Sequence, residues 1–499
     1  MSTKLASNIV SGISSRIAAI IIGISSVPLY LNYWGTEQYG IYVAVLSVLA
    51  FVPLSSLGVG SSLGILSAKT LELDGKIRLM MQSCILILIT SIVAFFVVIC
   101  TYFAFKSSFW SSLGVTSVKN PIVEAFLYLL LSAFSASFFS ILNGAFNGVN
   151  RQDLDNWYSI PISAIPLISI LLTRFYSLEF VDFAIITLVS SIFINGIKLY
   201  HLIRVCDFDS KILTRISIFN TSDFKHILRV GSRLLVFTLS VIIITNIDNI
   251  LIIKYFDSSM VSSYSINLKL MNVLFGSVMV VNLAIAPLLG NYLGHDNIQR
   301  IKGMYNDSFY ICIVLCSFLF IWLLYVGNDV IALWTSTEVL VSKGIFISML
   351  SFACMYTIVN LHVTISSAMN FTKTLPFIGL FEVLLNIVLS IFLLSYFGVL
   401  GVILGSLIAS ILIPSIIHPI LIKKLSDEQI YIEKRLVIQC LAVIAPVLLV
   451  SIYSYVFEVY AFSKFTQLAL VNIYLIFGFY YIIPLSIKNA IRKLPILSK

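Results

Sequence analysis

The chain has 499 residues, of which 59% are hydrophobic and 11% charged, with a mean hydropathy of +1.04. Soluble domains carry about 25% charged residues, so a soluble enzyme, a nucleic-acid-binding protein and a disordered chain are excluded, leaving a polytopic helical membrane protein. The net charge of +9 then reads as a mark of cytoplasmic loops.

A membrane span needs roughly 20 mostly apolar residues. In chain order, fourteen such stretches fall at 8–32, 41–64, 80–105, 121–145, 156–173, 181–203, 230–255, 261–289, 305–327, 341–368, 375–396, 398–422, 436–457 and 465–486. The expected fold is therefore all-α with about 14 (12–14) spans. The first stretch has too long an apolar run for a secretory leader and no small-x-small site after it, so it reads as a retained helix.

Orientation follows from the cations. With the N-terminus inside, 24 of the 31 Lys and Arg residues fall on the inner side or at inner helix ends, Lys198 among them. That asymmetry predicts both termini in the cytoplasm. Outer loops are short, and the longest polar connection, 205–229, is basic and inner. No room is left for an extramembrane catalytic domain.

The connection divides the chain into spans 1–6 (residues 1–204) and spans 7–12 (230–424), with spans 13–14 and a basic cytoplasmic tail over 425–499. Sliding the second part over the first gives a gapless match at an offset of 222 residues. Tyr33-Trp34 falls on Tyr255-Phe256, Thr36 on Ser258, Tyr42 on Tyr264, Asp74 on Asp296 and Arg78 on Arg300. Six spans per copy is an even number, so the copies share one orientation. Parallel repeats of this kind build transporters whose path runs between two halves.

Ionisable side chains in hydrocarbon cost at least about 2.5–3.5 kcal/mol, so each needs a partner or a wet cavity. The candidates are Arg16, Asp248, Lys269 and Glu382, with Arg233 near the inner end of span seven. Asp248 and Lys269 lie at similar depth on antiparallel helices, as either a structural ion pair or a pair lining the path. Arg16 is about 12 Å in from residue 8 at the helical rise. It either snorkels to headgroups or presents its planar fork to phosphate. Glu382, one turn from Asn386, is either a coupling acid or a buried polar group. Asn360 and His362 in span ten are cavity-polar candidates, against hydrogen bonding within the bundle.

No phosphate-binding GxxxxGK[ST] loop is present, nor an HExxH zinc motif. Asp153-Leu-Asp155 and Asp207-Phe-Asp209 have glycosyltransferase-like spacing but no nucleotide-binding domain around them. The seven cysteines are scattered and read as small buried hydrophobes. No cofactor or metal is expected.

Five short stretches carry a family resemblance. Ser7-Asn8 through Arg16 with Tyr33-Trp-Gly-Thr-Glu-Gln-Tyr-Gly-Ile-Tyr42 resembles the N-terminus of bacterial polysaccharide-repeat flippases, the O-antigen flippases included. Leu228-Arg-Val-Gly-Ser-Arg233, then Thr245-Asn-Ile-Asp248-Asn-Ile-Leu-Ile, then Tyr264-Ser-Ile-Asn-Leu-Lys269-Leu, are similar to the opening of that family's second lobe. The resemblance covers about residues 5–425. It implies membership of the multidrug/oligosaccharidyl-lipid/polysaccharide (MOP) exporter superfamily, with two six-helix lobes around a central cavity opening alternately to each side.

The implied cargo is an oligosaccharide on undecaprenyl pyrophosphate, moved from the cytoplasmic to the outer leaflet of the bacterial inner membrane. Arg16 and Lys269, with Arg233, would then hold pyrophosphate or acidic sugars. Asp248 matches an intramembrane acid, and Asp248 or Glu382 would couple transport to H⁺ or Na⁺. A polysaccharide polymerase and a chain-length regulator are implied partners; nucleic acid is not. The alternatives are a small-molecule cation antiporter of the same superfamily and an O-antigen polymerase. Two intramembrane cations weigh against the first, and short outer loops against the second.

Overall fold

A computed structural model describes residues 3–70, 73–115, 120–206, 221–293, 298–335, 339–369, 374–458, 463–484 and 487–488. Asp207-Phe-Asp209, most of the 205–229 connection, Asp296 and the tail from 489 lie outside the described residues. There is no β-strand among those described.

The first helix, α1 (Thr3–Leu49), is two helices joined at Gly35, whose φ of 78° and ψ of 174° no helix contains. In a straight helix Tyr30 and Tyr42 would stand about 18 Å apart. Their rings are 5.6 Å apart, so the chain reverses at Gly35. Glycine takes positive φ without steric cost.

A 3₁₀ turn over Val52–Ser56 then leads into α2 (Val59–Lys69). It is followed by α3 (Leu73–Ala104), α4 (Lys106–Ser112), α5 (Pro121–Phe139), α6 (Ile141–Gly148), α7 (Gln152–Phe175) and α8 (Phe180–Val205). After the connection come α9 (Thr221–Tyr255), α10 (Ser258–Leu293), α11 (Ile298–Thr335) and α12 (Lys343–Ala368). The last five are α13 (Leu375–Phe397), α14 (Val399–Leu412), α15 (Pro414–Leu425), α16 (Lys434–Phe457) and α17 (Lys464–Ile482).

Thirteen helical stretches among the described residues are long and apolar enough to cross a membrane. The first of them, Val10–Ser56, contains the reversal at Gly35 and so crosses twice, which brings the total to the expected fourteen. The reversal between α9 and α10 is centred on Asp257, 222 residues after Gly35, the offset of the sequence repeat. Asp257 caps α10: its Oδ1 accepts from Met260 N at 2.7 Å and Ser259 Oγ at 2.6 Å.

The chain divides into two compact units, Met1–Ser265 and Ile266–Lys499, and α10 belongs to both. In the first unit α1 packs on α7, α5 on α8, and α2 on α6. Its core gathers Val59, Leu63, Ile87, Ile141, Phe146, Leu202 and Ile227. Helices α2 and α6 touch through glycine: a Cβ on Gly144 would lie 2.0 Å from Gly60 O. At the Gly35 end, Trp34 packs 4.4 Å from Phe180, and Tyr33 Oη donates to Leu178 O at 2.6 Å. In the second unit α13 packs on α14, α12 on α14 and α15, and α11 on α12, α16 and α17.

Candidate functional site

Arg16 stands on α1 and Arg233 on α9, two helices that pack together in the first unit. Both side chains are exposed, and neither has a hydrogen-bond or ion-pair partner among the described residues. A guanidinium in a membrane helix without a carboxylate beside it has its five donors available to an anion. Asn156 holds α7 to α1 just below Arg16. Its Nδ2 donates to Ser11 Oγ at 3.0 Å and Asn8 O at 3.3 Å.

Asp248 is buried on α9, where Tyr264 Oη donates to its Oδ2 at 2.5 Å. The neighbouring Asn249 donates to Ser47 Oγ at 3.0 Å and accepts from Ser265 Oγ at 3.2 Å. This stretch of α9 therefore joins α1 and the start of α10 through side-chain hydrogen bonds. Lys269 lies further along α10 and is half-buried in the second unit.

The remaining candidates lie in the second unit, and each bonds a different helix. Glu382 on α13 is buried and accepts from Ser410 Oγ of α14 at 2.7 Å. Asn386, one turn on, donates to Ser406 Oγ at 3.0 Å. His362 on α12, 2% exposed, shares a hydrogen bond of 2.9 Å with Tyr305 Oη of α11. Asn360 accepts from Asn282 Nδ2 of α10 at 3.3 Å. These bonds satisfy buried polar groups within the bundle, as burial in a membrane requires.

The tally of inner-end cations hid one residue of interest. Lys198 is seven residues from the end of α8, about 10 Å along the helix, and its side chain is 2% exposed. Its Nζ is 2.5 Å from Asp155 Oδ1 on α7 and donates to Asn143 Oδ1 on α6 at 2.7 Å. The signal in the sequence was depth: Lys198 lies inside the 181–203 stretch, where a cation needs a partner. Asp153, the other half of that acidic pair, bonds Arg151 at 3.1 Å. Both carboxylates at 153 and 155 are thus engaged in ion pairs rather than free to hold a nucleotide-bound metal.

Comparison with known proteins places this geometry. The family model described as "Polysaccharide biosynthesis protein" matches residues 5–293, and that described as "MatE" matches residues 234–392. No curated protein matches the sequence. Among solved structures, the chain is similar to an inward-facing multidrug resistance MATE family transporter of the MOP superfamily. The identity is 16% and the TM-score 0.66, over 84% of this chain and 99% of that one. It is also similar to the lipid II flippase MurJ in an inward closed conformation, at 16% identity and a TM-score of 0.65, over 97% and 99% of the two chains. The Vibrio cholerae MATE transporter VcmN aligns at 12% identity and a TM-score of 0.59, over 85% and 96%.

Proposed function

The chain belongs to the polysaccharide biosynthesis protein family and, with its MATE- and MurJ-like fold, to the MOP superfamily of transporters and flippases. From that premise we propose that it flips an oligosaccharide linked to undecaprenyl pyrophosphate from the cytoplasmic to the outer leaflet of the bacterial inner membrane. Both termini are cytoplasmic in this reading.

The observation that carries it is Arg16: an exposed guanidinium within a membrane helix, with no ion-pair partner among the described residues. A pyrophosphate cannot cross about 30 Å of hydrocarbon unaided. Arginine offsets its desolvation by charge-assisted, bidentate hydrogen bonds. Arg16 and Arg233 on α1 and α9 supply such donors within the first unit, and Lys269 on α10 is the third candidate cation. The prenyl tail stays in lipid while the charged headgroup and its sugars pass. No covalent bond changes, so the protein works as a transporter and not as an enzyme. The driving force is a gradient of H⁺ or Na⁺ acting through Glu382 or Asp248, or consumption of the product by a polymerase and its chain-length regulator.

The test is deletion of the gene in its host, with surface glycan run on a gel and the lipid-linked repeat located by leaflet. Loss of surface glycan with intact repeats held on the cytoplasmic leaflet is the expected result. Repeats that reach the outer leaflet and stay unpolymerised would instead identify a polymerase. The MatE match over 234–392 favours a second reading, antiport of a small cationic molecule. Unchanged glycan together with lost drug efflux would establish it.

A further inference from the structure

A cavity of about 220 Å³ opens within the first unit, walled by α2, α6 and α9. Its polar groups come from Ser56, Ser61, Ser140, Asn143, Asn147 and Thr238, and its apolar floor from Pro53, Leu54 and Leu235. No charged side chain lines it. Glycines at 58, 60, 64 and 144 bring bare backbone to the wall. The volume is below the 300–1,000 Å³ typical of drug-sized ligands. It suits a single ring.

The orientation of one amide in this wall is decided by a buried charge behind it. An ammonium has three donors and no acceptor. Lys198 Nζ, 2.7 Å from the Asn143 amide, therefore requires the Asn143 oxygen to face it. The Nδ2 group of Asn143, with two donors, is left turned away from Lys198 on a side chain that is exposed and lines the cavity. Asp155 at 2.5 Å balances the ammonium, so the wall offers fixed donors without net charge. Asn147, one turn along α6, is exposed in the same wall and its side chain has no hydrogen-bond partner among the described residues.

Each class of ligand demands a different lining. A pyrophosphate calls for cations, a prenyl chain for an apolar wall, and a cationic drug for a carboxylate. A wall of amides and hydroxyls beside an apolar floor suits a sugar ring, which has hydroxyls on its rim and C–H groups on its faces. We propose that this cavity holds one uncharged sugar ring of the lipid-linked cargo, with Asn143 and Asn147 bonding its hydroxyls. The Lys198–Asp155 pair positions Asn143. The proposal rests on the flippase reading and adds to it a subsite that reads the sugar.

The test uses the full-length protein purified in detergent and two probes: bare undecaprenyl pyrophosphate and the lipid-linked repeat extracted from the host. The wild type should bind the repeat more tightly than the bare lipid. Asn147→Ala, which removes no side-chain hydrogen bond seen in the protein, and Asn143→Asp, which keeps an acceptor for Lys198 but loses both donors, should each reduce that ratio. A roughly fivefold to tenfold reduction corresponds to one hydrogen bond. If both lipids bind and the ratio is unchanged in both variants, the sugar subsite is refuted while the flippase reading stands. If the folded wild type binds neither lipid, the flippase reading falls, and the subsite with it.

Discussion

Lys198 Nζ stands 2.5 Å from Asp155 Oδ1 inside the first unit, joining α8 to α7 through a side chain that is 2% exposed. Asn143 on α6 accepts from the same ammonium, so three helices meet at one charge. Removing one member of a buried pair strands the other and typically costs about 3–5 kcal/mol. Lys198→Met is expected to lower the melting temperature in detergent well beyond surface substitutions. Lys198→Met combined with Asp155→Leu should recover much of the loss, since no charge is then left buried. A double variant no more stable than the single one would show that the pair is not the source of the effect.

Gly144 tests the packing of α2 on α6. Its added methyl carbon would sit 2.0 Å from Gly60 O, a backbone atom that cannot rotate away. Gly144→Ala should destabilise by about 1–3 kcal/mol or more, as overpacking does. Gly23, where a Cβ would meet nothing within 4 Å, is the control. Gly23→Ala should melt at or slightly above the wild type, because alanine is the better helix former. Thermal unfolding of the three proteins side by side measures both effects.

Asp257 carries a pH dependence. Hydrogen bonds from Ser259 and from the backbone of Met260 hold its carboxyl below the usual range. A carboxyl depressed in the folded state stabilises fully above its ordinary value, near 3.9, and that contribution is lost as pH falls through the lowered one. Asp257→Ala should cost about 1 kcal/mol at neutral pH, the usual worth of an N-cap. Asp257→Asn should keep the cap and abolish its acid sensitivity. Melting curves between about pH 6 and pH 3 distinguish the two.

The cargo-binding role proposed for the cations predicts graded losses. Hydrogen bonds to a charged group are worth about 1.5–3 kcal/mol, so Arg16→Ala should weaken binding of undecaprenyl pyrophosphate by roughly ten- to a hundredfold. Arg16→Lys should restore only part of it, since an ammonium lacks the planar fork. Lys269→Ala and Arg233→Ala should each reduce surface glycan in cells. Full glycan output from all three variants would remove these residues from the site.

Glu382 separates coupling from folding. In Glu382→Gln the amide oxygen can still accept from Ser410, so the variant should fold and melt close to the wild type. If the carboxyl couples transport, flipping in proteoliposomes should lose its response to an imposed pH gradient. A response that survives the substitution assigns Glu382 to the α13–α14 seam alone.

The number of spans and the spacing of the repeat could be read along the chain. Hydropathy is a sum over some twenty consecutive residues, and the lipid core fixes how many such residues a crossing takes. The reversals at Gly35 and Asp257, 222 residues apart, fall where the repeat put them. Arg16, Asp248, Lys269 and Glu382 were found the same way, since charge within an apolar run is visible without a neighbour. What each one meets was not. Lys198 finds Asp155 and Asn143 from 43 and 55 residues away, and that depends on how α6, α7 and α8 are rotated about their axes. Helix rotation is set by side-chain packing and by close approaches such as Gly60 on Gly144. No linear pattern encodes it, so the buried pair, the amide it orients and the cavity beside it emerged only when the helices were assembled.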